Sequence, residues 1–187
     1  MNRIVFNCFT KYYRCNGVPP SEIILVKNGS TKYDNSTLIS AEIKEAKDVV
    51  KSIQKSENTK LIYVVLDKDT NQKFFFEKGR EFGNPQSGLL VNSEAVGKGF
   101  EFYLIAQQCN KGTVKPTFYK VIYNDSNIDE GLVEELIYSQ CFNYMNWTGS
   151  IKVPSVMQYA KKLSMFAGQY MGEECVGENM SGNLYFI

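Results

Sequence analysis

The 187-residue chain has the composition of an ordinary globular protein, with 43% hydrophobic and 22% charged residues. This balance excludes intrinsic disorder, and a chain of this length can bury a real hydrophobic core as one domain. The formal net charge is only +1, so any nucleic-acid-binding surface must come from local clustering of basic residues. The chain contains no histidine, which excludes a Ser-His-Asp or Cys-His catalytic centre and a zinc site with imidazole ligands.

The first half of the chain alternates between helical and strand patterns. A helix is predicted over residues 2–16, ending at Gly17. The short apolar runs Glu22–Val26 and Leu61–Leu66 are typical of buried parallel strands, and the amphipathic stretch 36–54 between them predicts a helix. Strand, helix and strand in this order predict a right-handed βαβ unit.

The second half is predicted to consist of short strands followed by two helices. Four β segments are separated by turn residues: Lys73–Glu77, Leu89–Asn92, Phe100–Gln107 and Thr117–Asn124. A helical stripe runs from Leu132 to Tyr144, and a further helix is predicted over residues 153–169. The apolar residues of this last helix share one face, which we interpret as a core face: Val156, Tyr159, Ala160, Leu163, Phe166, Ala167 and Tyr170.

Several segments of the chain carry recognisable motifs, all in one order. Residues 153–169 are similar to V-P-A-P-x-Q-Y-A-H-K-L-A-F-x-x-G-Q, and residues 84–91 are similar to N-P-x-x-G-T-V-V. Residues 112–123 are similar to G-T-V-x-P-T-H-Y-x-V-I-Y. Together these motifs resemble the C-terminal half of a Piwi domain, from the Piwi branch of the Argonaute proteins. The resemblance implies an α/β fold of the RNase H-like type, here partial, with a mixed sheet flanked by helices. It also implies that residues 1–187 form a single partial Piwi domain, without a PAZ domain or a complete Mid domain.

Two positions fall where the resemblance implies a catalytic centre, in which carboxylates and a histidine hold two divalent metals. Asn28 stands where the family has a catalytic aspartate, and Lys161 stands where it has the histidine. A neutral amide is a poorer ligand for a hard cation than a carboxylate, and a lysine carries a positive charge that repels metal. We therefore expect no resident metal cofactor and predict that the chain is not an enzyme and lacks RNA-cleaving (slicer) activity.

The resemblance also implies contacts to a guide RNA. By position they fall on Lys68, Lys73, Gln107, Lys115, Lys152, Gln158 and Ile187. Lysines near strand ends are plausible phosphate contacts, although without the resemblance they would be interpreted as solvated surface residues. The C-terminal carboxylate of Ile187 would help to hold Mg²⁺ at the guide 5′-phosphate only if a Mid domain is supplied. Phe74, Phe75, Phe76 and Trp147 are interpreted as core residues rather than as a base-stacking platform.

The sequence thus predicts a catalytically inactive RNA-binding protein of the small-RNA silencing type, with a small guide RNA or a target RNA as its partner. An odd number of scattered cysteines fits a cytoplasmic or nuclear protein, and no apolar run is long enough to span a membrane. Three alternatives stay open: a module that binds tryptophan-containing partner peptides, a nuclease with a rearranged metal site at Asp67, Asp69 or Asp125, and a gene fragment without a function of its own. The Glu22–Val26 strand should also lack one neighbour, leaving an exposed sheet edge that favours self-association or a protein partner.

Overall fold

The computed structural model describes residues 2–29, 36–53, 59–92, 96, 99–109, 111–171 and 183–186. The strands are β1 (Glu22–Asn28), β2 (Lys60–Asp67), β3 (Phe76–Lys78), β4 (Glu81–Gly83), β5 (Leu89–Asn92), β6 (Glu101–Ile105) and β7 (Thr117–Asn124). The helices are α1 (Asn2–Asn16), α2 (Ser36–Ile53), α3 (Glu130–Gln140) and α4 (Ser155–Phe166), and α4 continues into a π-helical turn, Ala167–Met171. No helix among the described residues is both long and apolar enough to cross a membrane.

The chain divides into two compact units. Unit 1 comprises Met1–Thr70, Leu90–Tyr103 and Phe118–Asp129, and unit 2 comprises Asn71–Leu89, Leu104–Thr117 and Glu130–Ile187.

A mixed five-stranded sheet has the strand order β1-β2-β7-β6-β5. β1 and β2 are parallel, with Glu22 opposite Lys60 and Asn28 opposite Leu66, which confirms the parallel pairing expected of a βαβ unit. β7 pairs antiparallel with β2. Among the described strands, β1 lies at one edge of the sheet, as predicted for the Glu22–Val26 segment.

The core of unit 1 is built on β2. Residues 61–66 are all buried, because side chains on both faces of this interior strand are covered. On one face, Leu61 packs with Val5 of α1 and with Ala46 and Val50 of α2. Burial of each aliphatic side chain of this size contributes about 1.5–3 kcal/mol, so β2 and its two helices stabilise unit 1.

The strand predicted at Lys73–Glu77 is wrong over most of its length. The chain instead forms a two-stranded antiparallel hairpin, β3–β4, whose turn contains Gly79 at φ +66°. The ring of Phe76 lies so close to Gly83 that a Cβ there would be 2.8 Å from ring atoms. Phe75 and Phe76 are 53% and 46% exposed, so interpreting them as core residues is also wrong. A run of three consecutive phenylalanines has no alternation, so it cannot indicate which side chains face a core.

The interpretation of residues 153–169 as a core helix needs a larger correction. The helix forms as predicted, with Pro154 as its N-cap residue and no side-chain cap, but Ser155 is its only buried residue. Val156, Leu163 and Tyr170 are 51%, 37% and 74% exposed. The periodicity of the sequence shows that one face of the helix is apolar, but it does not show whether other residues of the chain pack against that face.

Candidate nucleic-acid interface

Two of the predicted lysines come from neighbouring segments of unit 2. Lys115 is exposed between the buried residues Val114 and Pro116, directly before β7. The fully buried Thr117 donates its hydroxyl hydrogen to the carbonyl oxygen of Lys152, with 3.1 Å between the oxygens. This hydrogen bond joins the start of β7 to the connection that leads into α4. The structure therefore brings the backbone of the Lys115 segment close to that of Lys152.

The exposed side of α4 borders a cavity of about 380 Å³. Its lining combines two lysines, two amides, one thioether and three aromatic rings: Gln158, Lys161, Lys162, Met165, Phe166, Gln169, Tyr170 and Phe186. The rings of Phe166 and Tyr170 are 5.1 Å apart between centroids. Gln158, a predicted RNA contact, and Lys161, the predicted catalytic position, thus line the same cavity. Lysine, amide and aromatic side chains together can contact phosphate, polar base edges and base faces.

Lys162 is a residue of this cavity that sequence reasoning missed. Its Nζ lies 5.7 Å from the ring centroid of Tyr144, within the range of a cation–π contact. Its position beside Lys161 in an amphipathic helix was a signal that could have identified it.

Gln107 follows β6 and is half-buried. The preceding residues are held by the loop 84–88: the Ser87 hydroxyl donates to the carbonyl of Ala106, and the Gly88 amide donates to that of Ile105 over 2.8 Å. Lys73 is exposed in the segment before β3. Trp147 is 56% exposed, so its interpretation as a core residue is wrong, whereas Phe74 is half-buried.

The remaining predicted positions are in unit 1 or outside the described residues. Asn28 is the exposed last residue of β1, and Lys68 directly follows β2, the parallel neighbour of β1. Both therefore lie at the carboxyl ends of adjacent strands. Next to Lys68, the carboxylate of Asp67 accepts the amide hydrogen of Asp69 over 2.9 Å. Ile187 lies outside the described residues.

The carboxylates of the rearranged metal site do not meet. Asp67 is the last residue of β2, whereas Asp125 accepts the amide hydrogen of Leu61 near the first residue of that strand, at 2.5 Å. Six residues of extended chain separate the two ends of β2 by roughly 20 Å. Within the described part of the chain, no group of three or more Asp, Glu, Cys or His side chains could hold a metal ion. These residues do not fit a metal centre by themselves.

Asp125 instead belongs to a hydrogen-bonded cluster in unit 1. Its carboxylate also accepts the Tyr123 hydroxyl hydrogen at 2.9 Å and pairs with Lys47 at 3.2 Å. Burial raises the pKa of Asp125, but the Leu61 amide, the Tyr123 hydroxyl and the Lys47 ammonium outweigh burial, so its pKa lies below the usual value. The Lys47 ammonium gains from its bonds to Tyr123 and Asp125, so its pKa is raised despite burial. This arrangement connects α2, β2 and the end of β7.

Comparison with known proteins identifies close similarity over nearly the whole chain. The Piwi domain family model matches residues 1–172. Piwi-like protein 1 of Gallus gallus is 32% identical over 178 residues, covering 95% of this chain and 20% of that protein. Piwi-like protein Ago3 of Bombyx mori is 33% identical over 164 residues, covering 87% of this chain and 18% of that protein. The chain therefore spans about a fifth of the length of these curated relatives.

Solved structures give the same result at the level of fold. The crystal structure of Drosophila Piwi superposes with a TM-score of 0.78 and 30% identity, covering 89% of this chain and 23% of that one. The C-terminal lobe of a budding yeast Argonaute superposes with a TM-score of 0.84 and 20% identity, covering 100% of this chain and 44% of that one. The Piwi lobes of these Argonaute proteins have an RNase H-like fold, which confirms the predicted fold class.

The same comparisons contradict the prediction that the chain is not an enzyme. Piwi domains of Argonaute and Piwi proteins have RNase H-like nuclease activity in many members, and the similarities give no sign that this chain is inactive. The prediction relied on Asn28 and Lys161, whose equivalence to catalytic positions was inferred from sequence motifs alone. Because the family model matches 172 of the 187 residues, the chain belongs to the Piwi family of Argonaute and Piwi proteins.

Proposed function

We propose that the chain binds RNA, either a small guide RNA or its target, as a Piwi-domain protein of small-RNA silencing in the cytoplasm or nucleus. Two groups of residues in unit 2, here together named the unit 2 basic surface, carry the proposal. Lys115 and Lys152 lie in segments joined by the Thr117 hydrogen bond, and Gln158, Lys161 and Lys162 line the α4 cavity. An Argonaute of Kluyveromyces polysporus, solved with a guide RNA, superposes on 100% of this chain with a TM-score of 0.80 and 20% identity. That similarity establishes the fold, and the unit 2 basic surface supports the ligand.

The chemistry of the surface suits a single RNA strand. The lysine ammonium groups attract backbone phosphates, which account for most sequence-independent affinity. The Gln158 amide can donate to or accept from a ribose hydroxyl or a base edge, and the rings of Phe166 and Tyr170 offer faces for base stacking. Lys68, Lys73 and Gln107 are proposed as further contacts.

The assignment within the family is a second part of the proposal. We propose that residues 1–187 correspond to the C-terminal half of a Piwi domain, which the order of the motifs supports. Asn28 and Lys161 would then occupy the positions of the family's catalytic aspartate and histidine. The Ile187 carboxylate would help to bind Mg²⁺ at a guide 5′-phosphate only together with a Mid domain.

The test measures binding of a fluorescently labelled single-stranded oligouridine by anisotropy at increasing KCl concentration. Each phosphate contact should add about 0.7 to the slope of log affinity against log salt. Lys115→Ala and Lys152→Ala should each flatten this slope, whereas Lys44→Ala, on the exposed side of α2 in unit 1, should not. Unchanged slopes in both surface variants, or no RNA binding at low salt, would contradict the proposal.

A second candidate function is the binding of tryptophan-containing partner peptides. It is favoured by a cavity of about 190 Å³ beside α1 and β1, whose lining is mainly apolar: Val5, Cys8, Phe9, Tyr12, Pro20, Glu22 and Ile23. A cavity of this kind can accept an apolar side chain from a partner. Peptide binding that is insensitive to salt, without retention of RNA, would favour this candidate over the first.

A further inference from the structure

The turn before β7 presents Lys115, and its conformation depends on a residue far away in the sequence. Asn84 Nδ2 donates to the carbonyl oxygen of Gly112 at 2.8 Å, and Asn84 Oδ1 accepts the amide hydrogen of Val114 at 3.1 Å. One side-chain amide therefore satisfies a backbone acceptor and a backbone donor two residues apart. Cys109 adds a weaker bond from its thiol to the same Gly112 carbonyl, at 3.4 Å.

The backbone on which Asn84 lies is itself well held. Asn84 precedes the buried Pro85, and a residue before proline is restricted to extended conformations. Three and four residues further on, Ser87 and Gly88 donate hydrogen bonds to the carbonyl oxygens of Ala106 and Ile105. The Asn84 side chain therefore acts from a fixed position on the turn at Gly112, where the backbone has φ +80°.

We infer that Asn84 is a positioning residue for the contact between Lys115 and RNA phosphate. One of its two hydrogen bonds goes to Val114, the residue directly before Lys115, and the other goes to Gly112, so together they order the backbone that leads into Lys115 before RNA binds. Without these bonds the Lys115 ammonium is no longer held at a phosphate, so that contact and the counterions it releases are lost. Asn84 does not itself need to touch RNA, and the inference rests on the proposed function of Lys115.

The experiment is a double-mutant cycle on the 187-residue chain with the oligouridine titrations described above. Asn84→Ala should flatten the salt slope by up to the amount lost in Lys115→Ala, about 0.7. In the Lys115→Ala background, Asn84→Ala should cause no further loss. Asn127→Ala, at an exposed asparagine of unit 1, serves as the matched control and should leave the slope unchanged.

A second variant disturbs the same turn without touching Asn84. Gly112→Ala places a Cβ at φ +80°, where L-residues are strained, and should flatten the slope as Asn84→Ala does. Gly17→Ala, which imposes the same kind of strain at φ +73° after α1, should not. Thermal unfolding of each variant establishes that the chain is folded.

The outcomes separate this inference from the function on which it rests. If Lys115→Ala flattens the slope while Asn84→Ala and Gly112→Ala leave it unchanged, Asn84 does not position the contact. Additive losses in the double variant would likewise overturn the inference, because Asn84 would then act independently of Lys115. If Lys115→Ala itself has no effect, the proposed RNA contact is wrong.

Discussion

Strand β2 and helix α4 have similar signals in the sequence and opposite environments in the structure. Both contain an apolar pattern strong enough to predict a core element. Every residue from Leu61 to Leu66 in β2 is buried, whereas α4 buries only Ser155. The difference shows that β2 contributes its apolar residues to a core, whereas α4 exposes apolar and basic side chains together.

This contrast predicts that mutations in β2 mainly affect stability, whereas mutations in α4 mainly affect ligand binding. In β2 the side chains are covered by neighbours on both faces, so their removal should lower the free energy of unfolding. In α4 the exposed residues surround a cavity with two lysines, so their removal should alter ligand binding more than stability. Three predictions test the contrast.

The largest effect is expected from the same substitution made in both elements. Leu66→Ala removes a fully buried side chain of β2 and should lower the free energy of unfolding by about 2–5 kcal/mol. Leu163→Ala in α4, where the leucine is 37% exposed, should cost less than about 1 kcal/mol. Urea denaturation of both variants measures the difference. Equal losses would mean that the α4 face is covered by other parts of the protein.

A smaller loss in the free energy of unfolding is expected from a mutation in the hydrogen-bonded cluster around Asp125 in unit 1. Asp125→Ala leaves the Leu61 amide without its acceptor and Lys47 without its carboxylate, and should cost about 1–3 kcal/mol at neutral pH. Because folding lowers the pKa of Asp125, its contribution is present above the ordinary value of 3.8 and is lost as the pH falls through the lower folded value.

The difference between wild type and Asp125→Ala should therefore shrink in acid. Urea denaturation at several pH values measures this difference, with Glu135→Ala, on the exposed side of α3, as the control. A constant difference across the acid range would show that the ionised carboxylate is not the stabilising form.

The third prediction concerns β1, the edge strand of the sheet in unit 1. Ile23 and Leu25 pack against the core, so alternation places Ile24 on the opposite side of the strand. Unpaired backbone groups along an apolar edge recruit other strands, so we expect self-association that increases with concentration. Sedimentation velocity at several concentrations measures it, and Ile24→Lys should weaken it by charging the edge. A wild-type monomer at every concentration would contradict this prediction.

The sequence predicted some elements to the residue. β5 and β7 have the predicted bounds, and α2, described over Ser36–Ile53, lies within the predicted helix. β-branched and aromatic residues bounded by turn residues determine β7 locally, and a regular apolar stripe does the same for α2. The β3–β4 hairpin was missed because three phenylalanines obscure the alternation that marks a strand.

Less of the candidate site than of the fold could be predicted from the sequence. Its lysines were chosen through a family resemblance, since a single lysine has no local signal that separates a phosphate contact from a solvated side chain. Asn84 could not be found at all, because the backbone groups that it binds lie 28 and 30 residues away in the chain. Thr117 and Lys152 are similarly separated by 35 residues.

By itself, then, the sequence determined most helices and strands and the family motifs, because these depend on neighbouring residues and on spacing along the chain. Only the tertiary structure decided that the α4 face is exposed while β2 is buried, and that Asn84 holds the turn before Lys115. Burial and long-range hydrogen bonds depend on residues that folding brings together from distant parts of the chain, and no local pattern records those neighbours.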